Sequence, residues 1–256
     1  MKTIPLRQKK IALYISLALM STALHLPEAH ADILEYNNVL YYSGSGNPNG
    51  NSRDYTNYDE VRVKTEAEGT VAPLAGWAIY LNDGSTYKFN DLTVNTSGTA
   101  ADGIHTKAGG GFVVIQNYHS ETTGSSADGI NLGRELNSGI NLAEVTINGD
   151  AKIIASGMGI RANSSSENEN AKATITINGN ADITTTTNGG GDSGYAVFAG
   201  QDTGVAALFK TAKGKAEIYL NGDSKITTTG NNAHGVYARG LGMISLGNVD
   251  ISTTGN

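Results

Sequence analysis

One short motif recurs six times and sets the limits on how this chain folds. It reads Gly76-Trp-Ala-Ile-Tyr80, Gly103-Ile-His-Thr106, Gly129-Ile-Asn-Leu132, Gly159-Ile-Arg-Ala162, Gly194-Tyr-Ala-Val197 and Gly235-Val-Tyr-Ala238. Neighbouring glycines in this series lie 27, 26, 30, 35 and 41 residues apart. A repeat of roughly 20 to 50 residues belongs to a solenoid, a propeller or an array. A single unit of that size cannot bury its own apolar face, so it must stack on copies of itself. Length and side surface then matter more than one central pocket.

Two further motifs keep step with the glycines. One is a Thr-rich strand: Leu92-Thr-Val-Asn-Thr96, Ile183-Thr-Thr-Thr-Thr187, Ile226-Thr-Thr-Thr229 and Ile251-Ser-Thr-Thr254, with Ile153-Ile-Ala-Ser156 as a looser copy. The other ends in Asn-Gly: Val145-Thr-Ile-Asn-Gly149, Ile175-Thr-Ile-Asn-Gly179 and Ile218-Tyr-Leu-Asn-Gly222, with Gly247-Asn248 as a reversed version. Short, β-branched stretches alternating with a period of two are strand signals. Asn-Gly can also close a hairpin, but here another strand of the same repeat follows, with no antiparallel partner pattern. Three short strands per unit describe one coil of a right-handed parallel β-helix, an all-β solenoid. Alternate Ile, Val and Leu residues, Ile177 and Ile226 among them, are expected to face the bore. Thr, Lys and Glu residues, Thr228 among them, are expected to face outward. A propeller blade needs four antiparallel strands in about 40 to 45 residues, more than the Gly129–Gly159 unit holds. The Leu-x-x-Leu-x-Leu core of leucine-rich repeats is missing.

Residues 1–31 read as a signal peptide outside this fold. Lys2, Arg7, Lys9 and Lys10 precede an apolar run from Ile11 to Leu24, and Ala29-His30-Ala31 fits the small-x-small cleavage rule. The run is short for a membrane span. Cleavage is expected between Ala31 and Asp32. The segment carries four basic residues and one acid, so removing it takes the net charge from −6 to −9. An acidic chain is a poor partner for nucleic acid or anionic membranes. No cysteine occurs, although an exported protein enters a compartment that permits disulfides. A stacked solenoid needs no such staples, and a chain that crosses a second narrow pore unfolded cannot carry them; both explanations stand. Only 16% of residues are charged, against about a quarter in ordinary globular domains. That suits stacked strands, where like charges placed one above another repel while amides and hydroxyls hydrogen-bond.

Past the signal, residues 32–60 are aperiodic and rich in Tyr, Asn and Gly. They read as an amino-terminal cap or irregular segment, since a solenoid needs an atypical first repeat over its open edge; an aromatic contact surface is the alternative. Residues 61–256 carry the repeats. Loops of unequal length explain the drifting interval, and the polar insertions Asn163–Asn170 and Gly200–Gly204 are surface loops of the kind that often bind.

With these motifs in view, residues 61–256 resemble the passenger region of type V autotransporters of Gram-negative bacteria, most closely the pertactin-like and AIDA-like adhesins. The resemblance rests on units of the form Ile-Thr-Ile-Asn-Gly-(Asn/Asp)-Ala-x-Ile…Ala-x-Gly-Val-Tyr-Ala, which are degenerate and mark the class. It covers residues 32–60 weakly. It implies a β-helix displayed at the cell surface through a carboxy-terminal outer-membrane barrel, acting in adhesion to host cells or in cell–cell aggregation. The implied partners are a host surface glycan or protein, or a second copy, with no nucleic acid and no cofactor. Ile251-Ser-Thr-Thr-Gly-Asn256 repeats Ile226-Thr-Thr-Thr-Gly-Asn231 and stops where the next unit should begin. The expectation is a fragment or the product of an interrupted gene, lacking the barrel and held in the periplasm, its full-length parent being at the cell surface or outer membrane.

Several residues invite a chemical reading. Gly191-Asp-Ser-Gly194 resembles the nucleophile motif of chymotrypsin-like proteases, but no early His in a Thr-Ala-x-His setting accompanies it, and Ser193 reads as the residue before a recurrent glycine. That slot is filled elsewhere by Asp102, Asp128, Met158 and His234. Ala101-Asp-Gly-Ile104 and Ala127-Asp-Gly-Ile130 resemble part of the polygalacturonase site. Asp102 and Asp128, one coil apart, are therefore the candidate residues of an alternative function, a β-helical polysaccharide-active hydrolase or lyase. The family's Asp-Asp pair, Gly-His-Gly and Arg-Ile-Lys are missing, and Asp before Gly is an ordinary turn choice. His105 fills a repeat slot, His119 falls in an unrelated loop, and neither has metal-ligand spacing with another His. The favoured expectation is a binding module without catalytic, cofactor or metal residues.

Overall fold

The computed structural model describes residues 32–43, 53–66, 76–106, 110–132, 142–163, 168–187, 194–201 and 213–255. All of them belong to the larger of two compact units, Ala31–Asn256. Residues 1–31, which the sequence reads as a signal peptide ending at Ala31, lie outside the described residues; Asp32 opens the first strand.

The described chain is all-β and built of parallel sheets. It begins with an antiparallel hairpin, β1 (Asp32–Tyr36) and β2 (Val39–Ser43), within the segment where the sequence shows no repeat. Asn37 and Asn38 close it with φ of 48° and 63°, the left-handed pair a two-residue type I′ turn requires. Every later pairing is parallel. β2 pairs with β3 (Glu60–Thr65), β3 with β5 (Thr86–Thr96), and β5 with β7 (Gly111–Thr122).

Beyond β7 the sheet divides into two arms. One runs through β9 (Leu142–Ile147), β12 (Lys172–Ile177), β15 (Lys215–Leu220) and β18 (Gly242–Leu246). The other runs through β10 (Ala151–Ala155), β13 (Ala181–Thr185), β16 (Ser224–Thr228) and β19 (Val249–Thr253). The Asn-Gly pairs sit at the corner between the arms, as joints between strands of parallel sheets and not as hairpins. β5 and β7, of 11 and 12 residues, cross the same corner unbroken and lack Asn-Gly there.

A second, six-stranded parallel sheet contains β4 (Ile79–Leu81), β6 (Ile104–Thr106), β8 (Ile130–Leu132), β11 (Ile160–Asn163), β14 (Tyr195–Gly200) and β17 (His234–Ala238), each paired with the next in that order. Like residues stack on like across both sheets. Ile79, Ile104, Ile130, Ile160, Val197 and Val236 form one column. Ile153, Ile183, Ile226 and Ile251 form another, and Ile147, Ile177, Leu220 and Leu246 a third. Ile177 and Ile226 are fully buried, as their alternation requires, and the columns merge into one continuous core except at their last members, where Val236 and Leu246 are partly buried and Ile251 is exposed. Close approach of the two sheets explains the glycine slot. A Cβ on Gly129 or Gly159 would meet Ile153 or Ile183 Cγ2 at 2.4 or 2.3 Å.

Three sequence expectations need correction. The slot equivalent to Gly103 holds Ala78 and Ala196, so Gly76 and Gly194 fall two residues early. Tyr195 therefore pairs with His234 in the position before the slot, which the glycine pattern had given to Ser193. Ser193 itself lies outside the described residues. Finally, not all Thr faces outward. Thr65, Thr96, Thr122, Thr185 and Thr228 are buried, each the last inner position of its strand. The chain turns there, and the Thr96 and Thr122 hydroxyls donate to the carbonyls of Ala101 and Ala127.

Candidate binding groove

The corner that the Asn-Gly joints create lines up one polar residue from each turn of the chain. Asp91, Asn117, Asp150, Asn180, Asp223 and Asn248 follow one another in register, acid alternating with amide from Asp91 onward, while Glu60 stands beside Asp91 in the strand before. Hydrogen bonds tie each to the next. Asn117 Nδ2 donates to Asp91 Oδ1 at 2.9 Å, and Asp150 N to Asn117 Oδ1 at 3.0 Å. Asn180 N donates to Asp150 Oδ1 at 2.8 Å, Asp223 N to Asn180 Oδ1 at 3.2 Å, and Asn248 Nδ2 to Asp223 Oδ1 at 3.0 Å. The alternation has a physical cause. Parallel strands stack at about 4.8 Å, where consecutive carboxylates would repel, and an intervening amide moves like charges about twice that far apart.

Two residues further along a second outward-facing column runs beside the first: half-buried Thr93 and His119, then exposed Lys152, Asp182, Lys225 and Asp250. Lys152 and Lys225 alternate with Asp182 and Asp250, again keeping like charges apart. The two columns wall a concave groove of about 800 Å³ whose floor includes Ala151, Ala181 and Ser224. The side chains at those positions are buried and point into the core, as do those of Leu92 and Tyr118 in the earlier turns, so the floor of the groove is the strand backbone itself. At one end Glu60 accepts from the Thr93 hydroxyl at 2.7 Å and pairs with Arg62 at 2.8 Å. Partial burial alone would raise its carboxyl; those two partners and the nearby His119 overcome that and hold it below the usual range. His119 belongs to β7 and faces this groove, a correction to its reading as a loop residue.

The carboxylates that sequence reasoning singled out sit elsewhere. Asp102 and Asp128 precede the glycine slot of β6 and β8 and are 2% and 5% exposed. Adjacent turns bring them together in a structural arrangement. Asp102 Oδ1 accepts the Asp128 N–H at 2.7 Å, and Asp128 Oδ1 accepts the Met158 N–H at 2.6 Å. Asp102 Oδ2 also holds His105 Nδ1 at 2.6 Å and Asn131 Nδ2 at 2.9 Å, while Arg161 lies 3.8 Å from Asp128 Oδ2. The His105 ring stacks on Trp77 with centroids 3.9 Å apart. Burial pushes the Tyr118 phenol up, so it stays protonated and donates to the Gly129 carbonyl at 3.1 Å. This is a buried brace for the six-stranded sheet: each acid satisfies the backbone of the following turn. Among the described residues no group of three or more His, Asp or Glu side chains converges as a metal site.

Sequence reasoning missed the groove because each of its residues is unremarkable alone. One signal was present: the residue after Asn-Gly is Asp150, Asn180 and Asp223 in successive units, already an alternation. Comparison of the chain with protein-family models, curated proteins and solved structures returns no match.

Proposed function

We propose that this chain is an adhesive binding module: a right-handed parallel β-helix occupying residues 61–256, exported by a signal peptide cleaved after Ala31. It belongs, on this reading, to the passenger part of an autotransporter. It acts at the cell surface in adhesion to host cells or in cell–cell aggregation. Support for the solenoid comes from the register. The same apolar columns recur along the chain, and each strand pairs in parallel with its equivalent 25 to 43 residues away in the last units, as with Ile226 on Ile251 and Lys172 on Lys215.

The observation that carries the function is the groove. It crosses six turns of chain and repeats the same polar chemistry at each, so its contacts are individually weak and additive along a ligand or between many copies. Six carboxylates against two lysines and one histidine line it, which disfavours nucleic acid and anionic membranes as partners. The hydrolase alternative would rely on Asp102 and Asp128, and both are buried with an oxygen committed to a backbone N–H.

Beads coated with the folded chain should adhere to host-cell layers, or clump with one another, well above bare beads, and soluble chain should compete. Coated beads behaving like bare ones would remove the adhesive reading. Release of reducing ends from acidic polysaccharide by the unaltered chain would replace it with the enzymatic one.

A further inference from the structure

The corners between the two arms carry Asn148-Gly149, Asn178-Gly179 and Asn221-Gly222. Packing imposes the glycine. A Cβ on Gly179 would meet the Gly149 carbonyl oxygen at 2.4 Å, and one on Gly222 would meet that of Gly179 at 2.3 Å. The same dipeptide is chemically labile. A residue without a Cβ leaves its own backbone nitrogen an open path to the Cγ of the asparagine before it. Two further Asn-Gly pairs, Asn49-Gly50 and Asn188-Gly189, lie outside the described residues.

The three corners are bonded almost alike. Each Asn is exposed and each Gly half-buried. The Asn148, Asn178 and Asn221 N–H groups donate to the carbonyls of Ile115, Ile147 and Ile177 at 2.8, 2.8 and 2.9 Å. The residue after each glycine donates its N–H to a ladder side chain, Asp150 to Asn117, Asn180 to Asp150 and Asp223 to Asn180. The difference lies at the glycine itself. Gly149 N–H donates to the Gln116 carbonyl at 2.6 Å, and Gly179 N–H to the Gly149 carbonyl at 3.0 Å. Among the described residues the Gly222 N–H has no hydrogen-bond partner. A held N–H must be released before its nitrogen can turn on the side chain. At Gly222 no release is needed.

We propose that Asn221 is a site of spontaneous deamidation in the folded chain, and that the stacked register protects Asn148 and Asn178. The Gly222 nitrogen attacks Asn221 Cγ. The N–Cγ bond forms as the Cγ–Nδ2 bond breaks, and the proton of the attacking nitrogen leaves with Nδ2 as ammonia. Water then opens the succinimide ring at one carbonyl or the other, giving aspartate or isoaspartate, and no other co-reactant is consumed. Either product puts a carboxylate in place of the amide that donates to Asn178 Oδ1 at 2.9 Å. Isoaspartate also adds a methylene to the main chain between β15 and β16, the strand that brings Ser224 and Lys225 to the groove. The reaction adds charge and slack at one corner as the protein ages, whatever the groove binds.

Ageing the full chain in warm, mildly alkaline buffer and comparing its tryptic peptides with those of an unaged sample tests this. Cleavage after Lys152, Lys172 and Lys225 separates the three corners, and tandem mass spectrometry assigns the mass gain of amide to acid to each Asn. In the folded chain Asn221 should convert roughly five-fold faster than Asn148 or Asn178, the factor by which one backbone hydrogen bond of ordinary net strength depletes the free N–H. In urea that unfolds the chain the advantage should vanish. Asn148 is the sharper control there, because it and Asn221 both precede Gly-Asp. Equal rates at the three corners of the folded chain, or no conversion at Asn221, would overturn the proposal. An advantage that survives unfolding unchanged would overturn it too, since local sequence and not the register would then set the rate.

Discussion

Asp102 and Asp150 share a residue type, a position at a turn and a partner in a backbone N–H, yet the two regions they occupy use the carboxylate differently. Asp102 is buried in the brace of the six-stranded sheet, where His105, Asn131 and the Asp128 N–H converge on it. Asp150 stands in the exposed corner ladder, where an amide does the same mechanical work one turn away. In the brace the carboxyl group accepts from several donors in a buried network, so a side chain without those acceptors leaves donors unsatisfied. In the ladder the acceptor oxygen is structural and the charge is surplus to folding. A charge that folding does not need, repeated at regular spacing along a groove, is available to a ligand.

If that contrast holds, damage follows burial of the column and not the residue type. The largest loss should come from Ile177→Asp or Ile226→Asp, at fully buried positions. Each should exceed the roughly 2–5 kcal/mol of an Ile→Ala truncation, because a carboxylate is also buried, and should appear as loss of cooperative urea unfolding. Asp102→Ala is next, at roughly 1–3 kcal/mol, since the Asp128 N–H, His105 and Asn131 lose an acceptor together. The inner Thr column sharpens the comparison further. Thr122 donates to Ala127 at 3.0 Å, so Thr122→Val should cost about 1 kcal/mol. Among the described residues the buried hydroxyl of Thr228 has no hydrogen-bond partner. Thr228→Val should therefore be neutral or slightly stabilising, whereas Thr228→Asp should be costly.

The smallest effects belong to the exposed columns. Asp150→Asn and Asp223→Asn should shift stability by less than about 0.5 kcal/mol. On the other arm, Lys172 Nζ lies 2.7 Å from Glu217 Oε2. Partial burial would raise the Glu217 carboxyl, but its bonds to Lys172 and Tyr219 outweigh that and hold it below the usual range. A lowered folded value means the pair's contribution is present above the unfolded carboxylate's titration and is lost as pH falls through the folded one. Glu217→Gln should remove that acid-side dependence, and with it no more than about 1 kcal/mol, visible as a flatter urea midpoint against pH below 4.5, the ordinary Glu value.

Much of the architecture was legible because it is local. The Ile-Thr-Ile-Asn-Gly units become β9, β12 and β15 with their corners, and alternation correctly buries Ile177 and Ile226. The face of Thr228 was not legible, since a run of Thr carries no alternation to say which residue turns inward. Registration failed at Gly76 and Gly194 because alanine fills the slot in those turns and a glycine happens to lie two residues upstream. His119 read as a loop residue because β7 passes the corner through Gln116 and Asn117 without the Asn-Gly that marks it in later turns. The groove was least legible of all. Its neighbours are 25 to 43 residues apart in sequence, and only stacking turns six separate turn residues into a wall.

Continuity of that wall depends on successive turns lying in parallel register, and cross-linking measures this directly. The chain has no cysteine of its own. Asp182 and Lys225 are exposed register partners in adjacent strands, within the 4.4–6.8 Å Cα separation a disulfide tolerates. Lys152 lies in the same column one turn beyond Asp182, about 9.6 Å from Lys225. Under mild oxidation the Asp182→Cys, Lys225→Cys protein should form an intramolecular disulfide rapidly and nearly completely. The Lys152→Cys, Lys225→Cys protein should stay reduced. Equal cross-linking of the two pairs, or of the second alone, would contradict the stacked register and with it the groove.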